Sequence, residues 1–289
     1  MNRFSLSTLK PYWELMRFHR PIGILLLLWP TYWALWLAAE GLPDWDLLFI
    51  FTIGVVAMRA SGCIINDIAD RHIDGHVKRT KNRPLVSGTV SVKSAYYWLA
   101  GITTIALVAV LFTNRLTICM AMIAVVLAFC YPFMKRYTHL PQVVLGMAFS
   151  MSIPMAFAAQ TGELNPSLWP LYTTSVLWTV AYDTFYAMTD REYDKRIGVK
   201  STAILFAEND RVITASIQLL TIIGWLMVGQ RFELGLFYYA GIAAALGLMA
   251  YQQWIIRHRQ PTACFAAFIH NQWVGMAVFI GILLHFATM

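Results

Sequence analysis

One stretch of the chain, residues 46–74, reads DLLFIFTIGVVAMRASGCIINDIADRHID. Its first part, residues 46–65, is almost wholly apolar and long enough for one helix to cross a lipid bilayer. The stretch then ends in a polar cluster, Asn66-Asp67-x-x-Asp70-x-x-x-Asp74. Carboxylates at the end of an apolar segment are unfavourable unless a cationic group needs them. The stretch therefore predicts a membrane helix that carries a functional site at one end.

The rest of the chain repeats this apolar pattern. It has 289 residues, of which 58% are hydrophobic and 13% charged, and its mean hydropathy is +0.57. A soluble domain carries about twice that charged fraction. The apolar runs are continuous rather than alternating, so they favour helices over the strands of a membrane barrel. We predict a single all-α polytopic membrane domain, residues 1–289, with about nine transmembrane helices at 20–39, 46–65, 94–112, 116–134, 141–159, 168–188, 209–230, 235–254 and 265–286.

The charged residues predict how this domain lies in the membrane. If the N-terminus is cytoplasmic, the cytoplasmic segments and helix ends hold 20 of the 22 Lys and Arg residues, and only Arg115 and Arg231 fall on the other side. This asymmetry fits the positive-inside rule. It places both the site and the N-terminus in the cytoplasm and the C-terminus on the opposite, periplasmic side. The net charge of +7 is accounted for by topology and by phosphate binding, so no nucleic-acid partner is predicted.

A second acidic cluster matches the first. It reads Asp183-x-x-Tyr186-x-x-x-Asp190-x-x-x-Asp194, and its final Asp pair lies 120 residues after the equivalent pair of the first cluster. Residues at this spacing lie along one stripe of a helix. Carboxylate and amide oxygens in this number suit Mg²⁺ that bridges to a substrate diphosphate, whereas the alternative is a pair of solvated helix ends with ordinary surface acids. The predicted metal ligands are Asn66, Asp70, Asp74, Asp190 and Asp194, with Asp67 and Asp183 near enough to assist.

Basic residues follow both clusters, and a third basic pair, Lys135 and Arg136, ends the fourth predicted span. Arg can bind phosphate oxygens with two hydrogen bonds and Lys can act as a point charge. The alternative is that these residues only hold their loops inside or contact anionic lipid. Lys135 and Arg136 could both be such anchors, but we favour a substrate role for Arg136. The predicted substrate-binding residues outside the metal ligands are Arg59, Asp67, Lys78, Arg79, Lys81, Arg83, Arg136, Tyr186, Lys195 and Lys200; the metal ligand Asn66 is also predicted to contact the substrate.

Arg59 is unusual because it lies inside the second predicted span, seven residues before Asn66 and on the same helix face. An arginine within the membrane needs a counter-charge or a polar cavity. Arg59 could pair permanently with a carboxylate from another helix. The alternative is that it receives an anionic group of a substrate next to the metal site.

The chain resembles the UbiA superfamily of intramembrane aromatic prenyltransferases, and within it the members that act on 4-hydroxybenzoate. Besides the two acidic clusters, the resemblance rests on Arg20-Pro-Ile-Gly-Ile-Leu-Leu-Leu-Leu-Trp-Pro30, Lys78-Arg-Thr-Lys-Asn-Arg-Pro84, Met134-Lys-Arg-Tyr-Thr-His-Leu-Pro-Gln142 and Tyr182-Asp-x-x-Tyr186. It implies nine transmembrane helices in a bacterial inner membrane, Mg²⁺ as cofactor, and a polyprenyl diphosphate and 4-hydroxybenzoate as substrates in ubiquinone synthesis. The implied catalytic residues are Asp70, Asp74, Asp183, Asp190 and Asp194.

Two other functions use acidic groups in membranes. A CDP-alcohol phosphotransferase would need a cluster that starts Asp-Gly-x-x-Ala-Arg, and the chain has none. A secondary transporter would place its acidic groups near the middle of the bilayer. Here the acids are predicted at one end of their helices, which favours an enzyme.

Overall fold

The structure, a computed structural model, describes residues 6–71, 75 and 80–289, and this part of the chain is helical without strands. The α-helices are α1 (Leu6–Leu15), α2 (Ile22–Ala39), α3 (Trp45–Asp70), α4 (Val92–Val110), α5 (Arg115–Met134), α6 (Pro141–Ser150), α7 (Ser152–Thr161), α8 (Leu168–Ile197), α9 (Thr202–Phe206), α10 (Asp210–Arg231), α11 (Leu236–Ile255) and α12 (Pro261–Ala287). The predicted all-α class is confirmed.

Every predicted span falls on helical chain, but the span predicted at 141–159 is divided into α6 and α7. The two helices meet at Met151, and Pro154 follows in the first turn of α7. Proline has no N–H to donate, so the carbonyl of Ser150 loses its partner four residues on and the helix is interrupted there. Hydropathy alone does not register such a break, because both halves are apolar.

The predicted count of nine spans is not confirmed. Among the described residues, seven segments are long and apolar enough to cross a membrane: 22–39, 45–70, 92–110, 115–134, 141–161, 202–231 and 261–287. The two remaining predicted spans correspond to α8 and α11, which are 30 and 20 residues long. Thr, Ser, Tyr and Trp replace aliphatic residues in the first half of α8, and α11 contains three Tyr and two Gln, which lowers the mean hydropathy of both segments.

The largest core is centred on three indole rings. Trp33, Trp178 and Trp225 are fully buried, and their ring centroids lie 5.3 to 6.3 Å apart. The indole N–H of Trp33 donates to the Gly275 carbonyl at 3.1 Å, and that of Trp178 donates to Asn271 Oδ1 at 3.0 Å. These contacts join α2, α8, α10 and α12 into one rigid unit.

A separate core joins α1, α3 and α4 next to the first acidic cluster. Ile64 and Ile68 of α3 pack there with Leu99 of α4 and Leu15 of α1. The second acidic helix, α8, is held between α6, α10 and α12. Near the end of α8, Arg191 pairs with the fully buried Asp210. The carboxylate of Asp210 also accepts a hydrogen bond from Arg259 Nε at 2.9 Å. The cluster-bearing ends of α3 and α8 are therefore packed against different sets of helices.

Candidate active site

A cavity of about 920 Å³ lies between the two acidic helices and is also lined by α2, α4, α5, α6, α7 and α12. Its polar part contains the predicted residues that the structure describes from both clusters: Asn66, Asp67, Asp70, Asp183, Tyr186, Asp190 and Asp194. Asp70 is the last residue of α3, and Asp190 and Asp194 occupy the last two turns of α8. Two clusters that are distant in sequence thus share one cavity. Asp74 lies outside the described residues.

Asp67 is held by two arginines. Both of its oxygens accept hydrogen bonds from Arg17 Nη2 at 2.9 Å, and Arg83 Nη1 lies 3.0 Å from Oδ1. The carboxylate is only 2% exposed, so the pair of arginines supplies the counter-charge that its burial requires. Arg17 reaches Asp67 from a left-handed backbone conformation, φ 61°, just after α1. Asp67 therefore ties the N-terminal helix and the segment after α3 to the rim of the cavity.

Asp70 is buried, and the structure shows a partner for one of its two carboxylate oxygens. Its Oδ2 pairs with the Lys135 ammonium, whereas Oδ1 is buried without a hydrogen-bond partner among the described residues. A buried carboxylate oxygen without a partner is unfavourable and calls for an explanation. Because Asp70 faces the cavity, an occupant of the cavity would supply the missing contact.

The second cluster forms one stripe along α8, as its spacing predicts. Asp183, Tyr186, Asp190 and Asp194 all line the cavity. The ring of Tyr186 packs against Phe268 of α12, with ring centroids 4.9 Å apart. The helix then ends at Gly198, whose left-handed φ of 72° suits glycine, and its N–H donates to the Asp194 carbonyl.

The predicted basic residues fall into two groups. Arg83 and Lys200 line the cavity, and the backbone N–H of Lys200 donates to the Lys135 carbonyl at 3.0 Å. The other described residues are outside it: Lys81 is exposed, Lys195 pairs with Glu192 at 3.2 Å, and Arg136 donates to the Ala69 carbonyl at 2.9 Å. Lys78 and Arg79 are not among the described residues.

Several residues that line the cavity were not predicted as site residues from the sequence. Arg17, Arg20, Tyr131 and Tyr182 line the cavity, and Lys135 does so in place of its neighbour Arg136. Helical spacing could have indicated Lys135, since it lies four residues after Tyr131 and on the same face. The role of Arg17 has no local signal, because its partner Asp67 is 50 residues away.

Arg59 lines the cavity and makes no ion pair with any residue in the described part of the chain. Its one hydrogen bond runs from Nη1 to Cys63 Sγ at 2.8 Å. Asp183 is close enough to interact with it electrostatically, as are Tyr131, Tyr182 and Tyr186. Among the described residues, no carboxylate of another helix lies within ion-pair distance of Arg59, so the structure does not support a permanent ion pair there. The guanidinium remains available to an anionic group in the cavity.

The oxygen donors around the cavity fit a hard divalent cation. Asn66, Asp70, Asp190 and Asp194 offer oxygen ligands, which Mg²⁺ prefers, and no described residue satisfies Asp70 Oδ1. The residues described here do not by themselves bring three acidic, His or Cys side chains around one point. Asp74, the fifth predicted ligand, lies in the part of the chain that is not described.

The pairing of Arg17 with Asp67 leads to a stability prediction. Arg17→Gln is expected to destabilise the protein by about 1.5–3 kcal/mol, the range for hydrogen bonds to a charged group, because Asp67 stays buried with one arginine. The midpoint of thermal unfolding in detergent measures this change. Lys195→Gln is the control: its pair with Glu192 is exposed, so a much smaller shift is expected. Equal shifts in the two variants would show that Arg17 contributes no more than a surface charge.

A bundle of long apolar helices that presents acidic groups of two helices, together with basic groups of other segments, to one cavity has the features of an intramembrane enzyme. The model of the UbiA prenyltransferase family matches residues 27–282, and the chain belongs to this family. It is 61% identical over 277 residues to a protein of Saccharophagus degradans named 4-hydroxybenzoate octaprenyltransferase, covering 96% of this chain and 93% of that protein. A protein of the same name from Pseudomonas syringae is 53% identical over 287 residues, covering 98% and 97%.

Solved structures show the same fold. The apo structure of a UbiA homolog from Aeropyrum pernix superposes with a TM-score of 0.81 at 21% identity, covering 90% of this chain and 97% of that one. A UbiA homolog from Archaeoglobus fulgidus, described as bound to GPP and Mg²⁺, superposes with a TM-score of 0.67 at 20% identity, covering 93% and 99%. At these identities the likeness concerns the fold.

Proposed function

We propose that the protein transfers a polyprenyl group from polyprenyl diphosphate to position 3 of 4-hydroxybenzoate and releases diphosphate, as a step of ubiquinone synthesis. The observation that carries this proposal is the shared cavity, in which both acidic clusters, several basic residues and the unpaired Arg59 meet. The names of the relatives at 53% and 61% identity supply the two substrates.

The donor lies with its diphosphate among the acidic and basic residues. Asn66, Asp70, Asp74, Asp190 and Asp194 would hold Mg²⁺, which stabilises negative charge on the leaving diphosphate. Lys135, Arg83 and Lys200 line the same part of the cavity and add positive charge beside these oxygens. The isoprenoid tail follows the apolar part of the cavity, where Val110 of α4 and Val125 of α5 are exposed to it.

Transfer breaks the C1–O bond of the donor and forms a C–C bond. The electron pair of the broken bond leaves with the diphosphate, and the ring carbon ortho to the phenol attacks C1. The proton on that ring carbon is then lost, which restores aromaticity. A carboxylate of α8 that polarises the phenol makes the ring more electron-rich. Asp183 and Asp190 are the candidates for this role, because both line the cavity on the same stripe of α8.

We further propose that nine helices cross the bacterial inner membrane with the cavity open to the cytoplasm and the C-terminus in the periplasm. The distribution of Lys and Arg supports this topology, and all nine predicted spans coincide with helical chain. The acids at the helix ends support an enzyme over a transporter, whose site would be near the bilayer midplane.

The direct test is identification of the product. Purified protein is incubated with Mg²⁺, 4-hydroxybenzoate and polyprenyl diphosphates of graded length, and the lipid extract is analysed by mass spectrometry. A product with the mass of 4-hydroxybenzoate plus the polyprenyl group, substituted at ring position 3, is expected. Hydrolysis of the donor without a prenylated ring would refute the proposal.

Arg59 provides a sharper prediction. Arg59→Ala is expected to raise KM for 4-hydroxybenzoate about ten- to a hundredfold, since a lost charge-assisted contact is worth roughly 1.5–3 kcal/mol. KM for the donor should change little. Steady-state kinetics with each substrate varied in turn measures both values.

The methyl ester of 4-hydroxybenzoate lacks the negative charge that Arg59 would bind, so it removes the same contact from the substrate side. The wild type should discriminate against the ester, and Arg59→Ala should not. A variant whose defect is equal for donor and acceptor would make Arg59 structural, and a wild type that uses the ester well would show that the carboxylate is not recognised.

A further inference from the structure

The guanidinium of Arg59 lies directly against Gly23, the second residue of α2. A Cβ atom built on Gly23 would be 2.4 Å from Arg59 Nε, 2.5 Å from Nη2 and 2.8 Å from Cζ. Real Cβ atoms do not approach other atoms this closely, so any side chain at this position would have to displace the guanidinium. Both residues line the cavity.

The backbone gives no reason for a glycine at this position. Gly23 lies in an α-helix and is not among the glycines with positive φ. In such a conformation alanine is the better helix former, because glycine loses more conformational freedom on folding. The close approach of Arg59 is the feature of the structure that leaves no room for a side chain at position 23.

Gly23 also completes the contacts of the guanidinium. Nη1 donates to Cys63 Sγ at 2.8 Å, while Nε and Nη2 are the atoms next to Gly23. Cys63 lies one turn further along α3, on the same helix as Arg59, whereas Gly23 lies on α2. Gly23 is thus a contact from another helix that fixes where the positive charge lies in the cavity.

We propose that Gly23 is a positioning residue that sets the place of the Arg59 guanidinium for binding the carboxylate of an aromatic acid. This inference rests on the proposed function, in which Arg59 binds the acceptor. A methyl group at position 23 moves the charge and leaves the rest of the site intact, because the displaced atoms are the end of a flexible side chain. Gly23 therefore contributes to the selection of carboxylate-bearing acceptors without contacting them.

The test is a double-mutant cycle on Gly23→Ala, Arg59→Ala and the double variant. Gly23→Ala is expected to raise KM for 4-hydroxybenzoate roughly tenfold, toward the value of Arg59→Ala, with little change in KM for the donor. The double variant should be no worse than Arg59→Ala alone, because residues that act through one contact are not additive. The midpoint of thermal unfolding of Gly23→Ala should be equal to or above that of the wild type.

Gly101→Ala is the matched control. Gly101 is a helical glycine of α4 outside the cavity, and a Cβ built on it meets no atom within 4 Å. Its KM values should stay at those of the wild type. Loss of discrimination against the methyl ester in Gly23→Ala, but not in Gly101→Ala, would confirm that a displaced charge is the cause.

Three results would overturn the inference. One is an equal rise of both KM values in Gly23→Ala, another is a double variant clearly worse than Arg59→Ala, and the third is a Gly23→Ala protein that does not accumulate in the membrane. The proposed function is tested separately by Arg59→Ala. If that variant has a normal KM for 4-hydroxybenzoate, the carboxylate role fails; if it has the expected defect and Gly23→Ala has none, only the role of Gly23 fails.

Discussion

Removal of divalent cations is expected to abolish prenyl transfer. Chelation by EDTA should lower the rate by more than about 10³-fold, because loss of even one group that stabilises charge in the transition state costs 10²–10³. The physical reason is the oxygen-only donor set, which includes Asp70: this residue lines the cavity, and its Oδ1 has no hydrogen-bond partner in the described part of the chain. The measurement is product formation before and after chelation, followed by addition of excess Mg²⁺.

Two controls make this result specific. Return of the rate with Mg²⁺ shows that the protein was not damaged, and an unchanged midpoint of thermal unfolding shows that chelation did not act through the fold. A rate that survives thorough chelation would remove the metal from the proposed function, and the acidic clusters would then need another explanation.

Asp70→Asn is expected to lower kcat by about 10² or more, with the protein still inserted in the membrane. The substitution keeps the shape of the side chain and removes its charge. It thereby weakens the pair with Lys135. It also makes the position of Oδ1, which has no partner among the described residues, a poorer ligand for a cation. Steady-state rates at saturating substrates, normalised to the amount of protein in the membrane fraction, measure the effect.

Glu192→Gln is the matched control. Glu192 is an exposed carboxylate on α8, pairs with Lys195 and does not line the cavity, so its neutralisation should leave the rate unchanged. Asp190→Asn and Asp194→Asn are expected to behave like Asp70→Asn. Near-normal rates in two of these three variants would mean that the acidic clusters are surface features of the helix ends.

The sequence was sufficient for the positions of the helices and for the stripe of acidic residues along α8. Apolar length determines where a helix can cross a bilayer, so each predicted span coincides with helical chain, from α2 to α12. Helical spacing placed Asp183, Tyr186, Asp190 and Asp194 on one stripe, and that stripe lines the cavity. These are local properties, which neighbouring residues in the sequence decide.

What the sequence did not reveal depends on contacts between distant segments. The pairing of Asp67 with Arg17 and Arg83 requires three segments to meet, and no pattern within one of them indicates it. The choice between Lys135 and Arg136 depends on the direction in which each leaves the end of α5, and only Lys135 lines the cavity. The contact of Gly23 with Arg59 is likewise a meeting of α2 and α3.

The cluster of Trp33, Trp178 and Trp225 affects whether ions can pass through the helix bundle. An enzyme that keeps charged groups and water inside a membrane bundle risks conducting protons between the two compartments. Tyr182 lines the cavity, and its ring packs on Trp178 at 5.1 Å; beyond it the fully buried Trp33 and Trp225 fill the interior. Apolar constrictions exclude water and block ion passage. The same rings that join four helices therefore leave an apolar interior beyond Tyr182, which disfavours the passage of water and ions.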